Sequence, residues 1–259
     1  LTVNTTTACT ATGVVLGTPV TADNCSVASV VNNAPTAFPL GNTTVTWTVT
    51  DAAGNTATAT QVVTVVDNTN PTITAPANIT LNATAACAVT GLALGTPVTT
   101  DNCSVASVSS NAPATFALGV TTITWTVTDG SGNTATATQV VTVVDNTNPT
   151  ITAPSNVTIN ANSACAAFNV ALGTPVTADN CSVASVTNNA PSVFSLGSTT
   201  VTWTITDGSG NTATATQTVT VVDNANPTIV APAALTVNTT TACTATGVVL
   251  GTPVTADNC

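Results

Sequence analysis

The chain has 259 residues, and its net charge of −10 comes from ten Asp, with no Lys, Arg, His, Glu, Met or Tyr. That alphabet excludes partners recognised through basic side chains, so neither nucleic acid nor an anionic membrane surface is expected to bind. A mean hydropathy of +0.43 points towards lipid, but Thr interrupts every apolar run well short of the roughly 18 residues a spanning helix needs, so no membrane insertion of this segment is expected.

An internal period dominates the chain. Val65-Val66-Asp67-Asn68-Thr69-Asn70-Pro71 returns at 143–149 and, with Ala225 in place of Thr, at 221–227, so the copies follow one another at a constant interval. A β-rich run that stops at Asp, an Asn-rich stretch and a Pro that opens the next run read as a junction between folded units. The modules are then 1–67, incomplete at its start, 68–145, 146–223 and an incomplete 224–259. Residues 1–25 reappear unchanged as 235–259, which reads as a window cut from a longer array whose secretion signal lies elsewhere.

The complete module 68–145 gives the elements in order. Ile73 and then Ile79-Thr80-Leu81 predict a first strand kinked at Ala75-Pro76. A short apolar run, Ala88 to Leu94, follows Cys87. Gly95-Thr96-Pro97 turns the chain into a short strand at Val98–Thr100, and Asp101-Asn102-Cys103 follows. Ser104 to Val108 alternates as a strand, and Ala114 to Leu118 forms another. Thr121 to Thr128 alternates strictly, with Ile123, Trp125 and Val127 on a core face and Thr on the wet one. Asp129-Gly130-Ser131-Gly132-Asn133 is a five-residue hairpin loop, and Thr134 to Val144 returns as a long partner strand. No segment has a helical apolar period. The expected fold is all-β: tandem immunoglobulin-like or fibronectin-like β-sandwich modules of about 78 residues forming an extended rod. Trp47, Trp125 and Trp203, with Phe38, Phe116 and Phe194, recur once per module and read as core anchors rather than sugar platforms.

The cysteines fall at Cys9 and Cys25, Cys87 and Cys103, Cys165 and Cys181, Cys243 and Cys259, always 16 apart. The period makes one disulfide inside each module the economical pairing, closing a loop worth about 3 kcal/mol in the chain-entropy model. An oxidising compartment, hence a secreted, extracellular or cell-surface location, follows. Reduced thiols are the alternative, and zinc is disfavoured by the lack of His and of any CxxC pair.

These residues together, a Cys before a short strand, Asp-Asn-Cys, Phe-x-Leu-Gly, Thr-Thr-Val-Thr-Trp-Thr-Val-Thr-Asp-x-x-Gly-Asn-Thr-Ala and Val-Val-Asp-Asn-x-Asn-Pro, resemble the hyalin repeat. The resemblance covers every module and implies an immunoglobulin-like extracellular unit, similar to those in giant surface adhesins of gliding bacteria exported by the type IX route. A further cysteine pair carried by many such repeats is missing, so bridge geometry is not carried over.

Every Asp occupies one of three places in the module: Asp23, Asp101, Asp179 and Asp257 before Asn-Cys; Asp51, Asp129 and Asp207 in the hairpin; Asp67, Asp145 and Asp223 at the junction. The last strand runs from hairpin to junction, so Asp129 should approach Asp67 and Asp207 should approach Asp145. Counting Val98–Thr100 as a strand sends Asp101 to the far pole, near Asp145 and Asp207; omitting it leaves Asp101 at the near pole. Carboxylates gathered with Asn70 and Asn148 carbonyl oxygens at a junction offer hard ligands for Ca2+, and the junction sequence is similar to the linker of calcium-bridged cadherin arrays. The bland alternative is that Asp and Asn simply cap turns. Enzymatic chemistry is not expected, since no His, Glu, Lys or Tyr is present as general base.

The expected function is a stalk in a long cell-surface adhesin or filament, spacing a distal adhesive region from the cell for attachment or gliding. A self-assembling extracellular fibre or sheath and a weak carbohydrate-binding array are the alternatives. Expected partners are further copies, associating laterally or end to end, and a surface polysaccharide or other adhesive ligand.

Overall fold

The computed structural model describes residues 1–259 apart from Thr7, Ala85, Thr240, Thr241 and the side chain of Ser163. Among the described residues the structure is all strand and loop save one 3-10 turn, Ser163–Cys165. The chain falls into two compact units. The first comprises 1–81 and 88–144, the second 82–87 and 145–259.

In the first unit, Thr2–Asn4, Thr56–Val66, Gly41–Asp51 and Val27–Asn32 lie side by side in a four-stranded sheet. A two-stranded sheet of Thr10–Thr12 and Ala37–Pro39 covers it. The core fills the space between: Val45, Val63 and Val65 project from the large sheet and meet Ala11 and Phe38 from the small one. These apolar residues alternate with Thr, which is why each strand buries one face and wets the other. Burying Phe38 and three valines in this way stabilises the module by about 1.5–3 kcal/mol per side chain.

The complete module repeats the plan. Gly119–Asp129 and Thr134–Val144 form the central hairpin, paired from Gly119↔Val143 to Thr128↔Thr134, with Val105–Ser110 on one edge and Ile79–Asn82 on the other. Ala75-Pro76 separates Thr72–Thr74, which pairs with Val98–Thr100, from Ile79–Asn82, which joins the large sheet, so the expected kink is where the strand changes sheets. In the second unit Val157–Asn160 pairs parallel to Thr212–Val222, and Ala167, Phe194, Val201, Trp203, Val219 and Val221 make the core.

Trp203 is buried in the core while Trp47 and Trp125 are half-buried, and each has a partner that the sequence pattern did not reveal. Each indole N–H donates to a Gln on the neighbouring strand: Trp47 to Gln61 at 3.0 Å, Trp125 to Gln139 at 3.1 Å and Trp203 to Gln217 at 3.1 Å. Gln139 and Gln217 are 0% and 1% exposed. Gln217 also donates to the carbonyls of Ser155 (2.7 Å) and Leu172 (2.9 Å), so its amide joins loop to sheet with every hydrogen bond made.

The expectation of one disulfide inside each module is overturned. The bonds are Cys9–Cys103 and Cys87–Cys181, each spanning 94 residues, so a module's first cysteine joins the next module's second. The reason is topological. The strand after the kink runs parallel to the last strand, as Thr2↔Thr64 and Val157↔Val219 record, and so delivers the first cysteine to the end where its module finishes. The second cysteine follows Val98–Thr100, which runs antiparallel to Thr72–Thr74 and returns to the end where the module begins. The two therefore lie most of a long strand apart, roughly 30 Å at about 3.3 Å per residue, where a disulfide needs Cα atoms within about 7 Å. Residues 82–87 belong to the second unit, and Ala86 and Cys87 at the end of that stretch have left-handed backbone (φ 67° and 57°).

Candidate functional site

The acidic residues gather where modules meet, and local backbone chemistry places each one. In the hairpin, Asp129 Oδ1 accepts the N–H groups of Ser131 (2.9 Å) and Asn133 (2.8 Å), and Oδ2 accepts the Asn133 amide at 2.7 Å. Gly132 supplies the positive φ (95°) that this closure requires. Burial alone would raise the Asp129 carboxyl; the hydrogen bonds from Asn133 and Ser131 outweigh it and hold the group below its ordinary value. Asp207 is the same, with Asn211 and Ser209 as donors. At Asp51 the Asn55 side chain is the largest influence and likewise lowers it.

The Asp-Asn-Cys segment forms an Asx turn. Asp101 Oδ2 accepts the N–H groups of Cys103 (2.8 Å) and Ser104 (3.0 Å), and Asp179 Oδ2 accepts those of Cys181 and Ser182. Val98–Thr100 is a strand, yet Asp101 lies at the near pole beside Asp67, which corrects the placement that followed from counting that strand. Thr100 pairs with Thr72, five residues beyond Asp67, so the strand ends back at the junction it started from.

At the first junction Asp67 is 5% exposed. Its Oδ1 accepts from Thr5 Oγ1 (3.3 Å), Asn102 Nδ2 (3.3 Å) and the Thr69 N–H (3.1 Å). Asn133 of the hairpin donates to the Asp67 carbonyl at 3.0 Å, so hairpin and junction meet through this amide. Carboxylate oxygens of Asp67 and Asp101 lie within 4.8 Å of one another and of the Cys103 sulfur. That sulfur is bonded to Cys9 and offers no thiolate. Two charges at this separation repel by about 3–4 kcal/mol at an effective dielectric of about 20, and the chain has no Lys or Arg to offset them.

Three oxygens of this cluster, Asp67 Oδ2, Asp101 Oδ1 and Asn102 Oδ1, are buried without any hydrogen-bond partner. Buried polar atoms are normally satisfied, and orphaned acceptors on two neighbouring carboxylates are what a hard cation would satisfy. The second junction has Asp145, Asp179 and Asp207 oxygens within 4.8 Å of one another, with Asp179 Oδ1 and Asn180 Oδ1 orphaned. Asn180 donates to Asp145 at 3.2 Å and Asn211 to the Asp145 carbonyl at 3.1 Å.

The remaining candidates are placed as follows. Asp23 and Asp51 line one shallow depression with Asn24, Cys25 and Asn55, without a counterpart of the junction residues Asp67 and Asp145. Asp223 accepts the Ala225 N–H at 3.0 Å, and with its amide turned to face the carboxylates Asn258 donates to Asp223 and Asp257, both at 3.2 Å. Asn70 and Asn148 are exposed. Asn102 and Asn180, which donate to Asp67 and Asp145, were missed, and their position beside Asp in every Asp-Asn-Cys was the available signal. Cys25, Cys165, Cys243 and Cys259 carry no disulfide. Hydrogen bonding to Cys165, burial and the nearby Asp223 charge push the Cys259 thiol up to about 12.

Comparison with known proteins agrees with this periodicity. The HYR domain matches residues 3–65, 66–143 and 144–221. Hyalin of Lytechinus variegatus is 34% identical over 207 residues, 74% of this chain and 39% of that protein. Hyalin of Strongylocentrotus purpuratus is 33% identical over 199 residues, 72% of this chain and 17% of that protein, so the chain spans well under half of either relative. Among solved structures, the protocadherin gamma B4 extracellular domain is similar at 14% identity with a TM-score of 0.30, covering 74% of this chain and 39% of that one.

Proposed function

The chain belongs to the HYR domain family, and from that premise we propose that it is a non-enzymatic structural segment of an extracellular, adhesion-related repeat protein. Its role is that of a stalk, spacing an adhesive region from the surface in attachment or gliding. The observation that carries this reading is the junction. The disulfide Cys9–Cys103 and the acidic cluster of Asp67 and Asp101 fall on the same few residues, and the same coincidence returns at Cys87–Cys181 with Asp145, Asp179 and Asp207. Structural disulfides persist only in oxidising surroundings, which supports an extracellular location.

The orphaned oxygens favour Ca2+ as the ion these clusters hold. Asp67, Asp101 and Asn102 at one junction, and Asp145, Asp179, Asp207 and Asn180 at the next, would supply part of the six to eight oxygens the ion takes, with water completing the shell. So few carboxylates place the affinity at about 0.1–1 mM, the range of extracellular modules. Neutralising the clusters would stiffen each junction. Small-angle X-ray scattering of the full chain in calcium and then in chelator tests this: the account expects the scattering to become that of a more flexible chain on chelation, and an unchanged profile would remove calcium as the stiffening agent.

A second reading, lateral assembly into a fibre, is favoured by one observation. The edge strands Val27–Asn32, Val105–Ser110 and Val183–Asn188 are exposed at every residue, apolar ones included, and an unprotected edge is a template for a further strand. Sedimentation at micromolar concentration separates the two, since a stalk stays monomeric.

A further inference from the structure

The two disulfides share one register, in which each first cysteine reaches the cysteine 94 residues on. Applied once more, that register joins Cys165 to Cys259. Several features of the bonded sites are already in place there. Cys165 has the left-handed backbone of its counterparts, φ 57° against 59° at Cys9 and 57° at Cys87, and Ala164 before it has φ 64° against 67° at Ala86. The Cys165 N–H donates to the Asn258 carbonyl at 3.4 Å; at the second bond the donor to the matching Asn180 carbonyl is one residue earlier, the Ala86 N–H at 3.1 Å. Asn258, turned towards the acids, donates to Asp223 at 3.2 Å, as Asn180 does to Asp145. By contrast, the register offers Cys25 and Cys243 no partner within these residues.

We infer that Cys165 and Cys259 form a third intermodule disulfide, and that the three bonds give tension a covalent path that bypasses most of every sandwich. The chemistry is thiol–disulfide exchange with a disulfide-bearing oxidant. One cysteine, as thiolate, attacks a sulfur of the oxidant and expels the first thiol; the other cysteine then attacks the mixed disulfide and expels the second. Two cysteine thiols and one external disulfide become one protein disulfide and two external thiols, with protons and electrons balanced.

The mechanical consequence follows from connectivity alone. Tension entering at Leu1 passes from Cys9 to Cys103, back along residues 102–88 to Cys87, across to Cys181, back to Cys165 and across to Cys259. The stretched backbone is then about 40 residues, about 140 Å at full extension, instead of about 900 Å for the reduced chain. With only the first two bonds it is about 100 residues and about 350 Å; with bonds inside each module it is about 680 Å. In the oxidised array the hairpins lie off this path, and the segments 87–103 and 165–181 carry the load.

The test uses the full chain equilibrated with glutathione disulfide, denatured, alkylated and cleaved on the N-terminal side of Asp. The inference expects peptide 145–178 joined to 257–259 and alkyl groups confined to Cys25 and Cys243. Alkylated Cys165 and Cys259, or Cys165 joined to Cys181, would overturn it. Single-molecule extension through the two termini gives an independent readout, with about 140 Å expected for the oxidised chain and about 350 Å for Cys259→Ser. A wild-type length equal to that of Cys259→Ser would overturn the shortcut. The inference stands whether or not the junctions hold a cation.

Discussion

Replacing Gln217 with Met keeps the volume of the side chain and removes all of its hydrogen bonds. The Trp203 N–H at 3.1 Å and the carbonyls of Ser155 at 2.7 Å and Leu172 at 2.9 Å lose their partner at a position 1% exposed. An orphaned buried group costs about 1–3 kcal/mol, less for a carbonyl with a second lone pair in use, so about 4 kcal/mol is expected for the three. Because the modules share a chain, the readout must be local, and amide hydrogen exchange of the hairpin Gly197–Asp207 and Thr212–Val222 provides it. A loss of about 4 kcal/mol speeds exchange there about a thousandfold and leaves the hairpin Gly41–Asp51 and Thr56–Val66 unchanged. Adding Trp203→Phe removes the orphaned N–H and should recover part of the loss. Exchange within tenfold of wild type would refute the claim that this amide joins loop to sheet.

Other consequences are open to measurement. Asp129 and Asp207 are held below the ordinary carboxylate value of 3.8, so their ionised forms stabilise the folded hairpins; the contribution is present above that value and is lost as pH falls through the lower folded one. Thermal midpoints should therefore drop on acidification, and Asp129→Asn with Asp207→Asn should flatten the dependence. Gly132→Ala forces a side chain into φ 95° and should cost about 1 kcal/mol, read as faster exchange in Gly119–Asp129, where a neutral result would refute the turn argument. Phe116→Ala opens a cavity at a residue 2% exposed and should cost about 3–5 kcal/mol by the same assay.

The fold was legible because Thr alternates so strictly with Val and Ile that period-2 patterning leaves one solution for the central hairpin. Asp129-Gly-Ser-Gly-Asn133 announces its own turn, and the kink at Ala75-Pro76 marked the change of sheet. The cysteine pairing was not legible from spacing. Sixteen residues is a natural loop length, and nothing local says that Cys87 and Cys103 lie at opposite ends of one sandwich. That fact depends on the parallel pairing of first and last strands, a non-local contact of the kind seen at Thr2↔Thr64. The misplacement of Asp101 came from counting Val98–Thr100 as a strand that crosses the module, whereas its non-local pairing with Thr72–Thr74 brings it back to the junction. Gln139 was hidden for a different reason: a polar residue in a Thr-rich strand reads as solvent-facing, and its burial is explained by the Trp125 N–H that it accepts and the Ala77 and Leu94 carbonyls to which it donates.

The central claim is that the acidic junction clusters are cation sites, and calorimetric titration of the full chain with calcium tests it most directly. The account predicts saturable binding at the two clusters around Asp67 and Asp145, with Asp67→Asn and Asp145→Asn each removing one site and leaving the disulfides intact. Absence of binding up to about 10 mM, well above the affinity range of extracellular calcium modules, or binding that survives both substitutions, would contradict it.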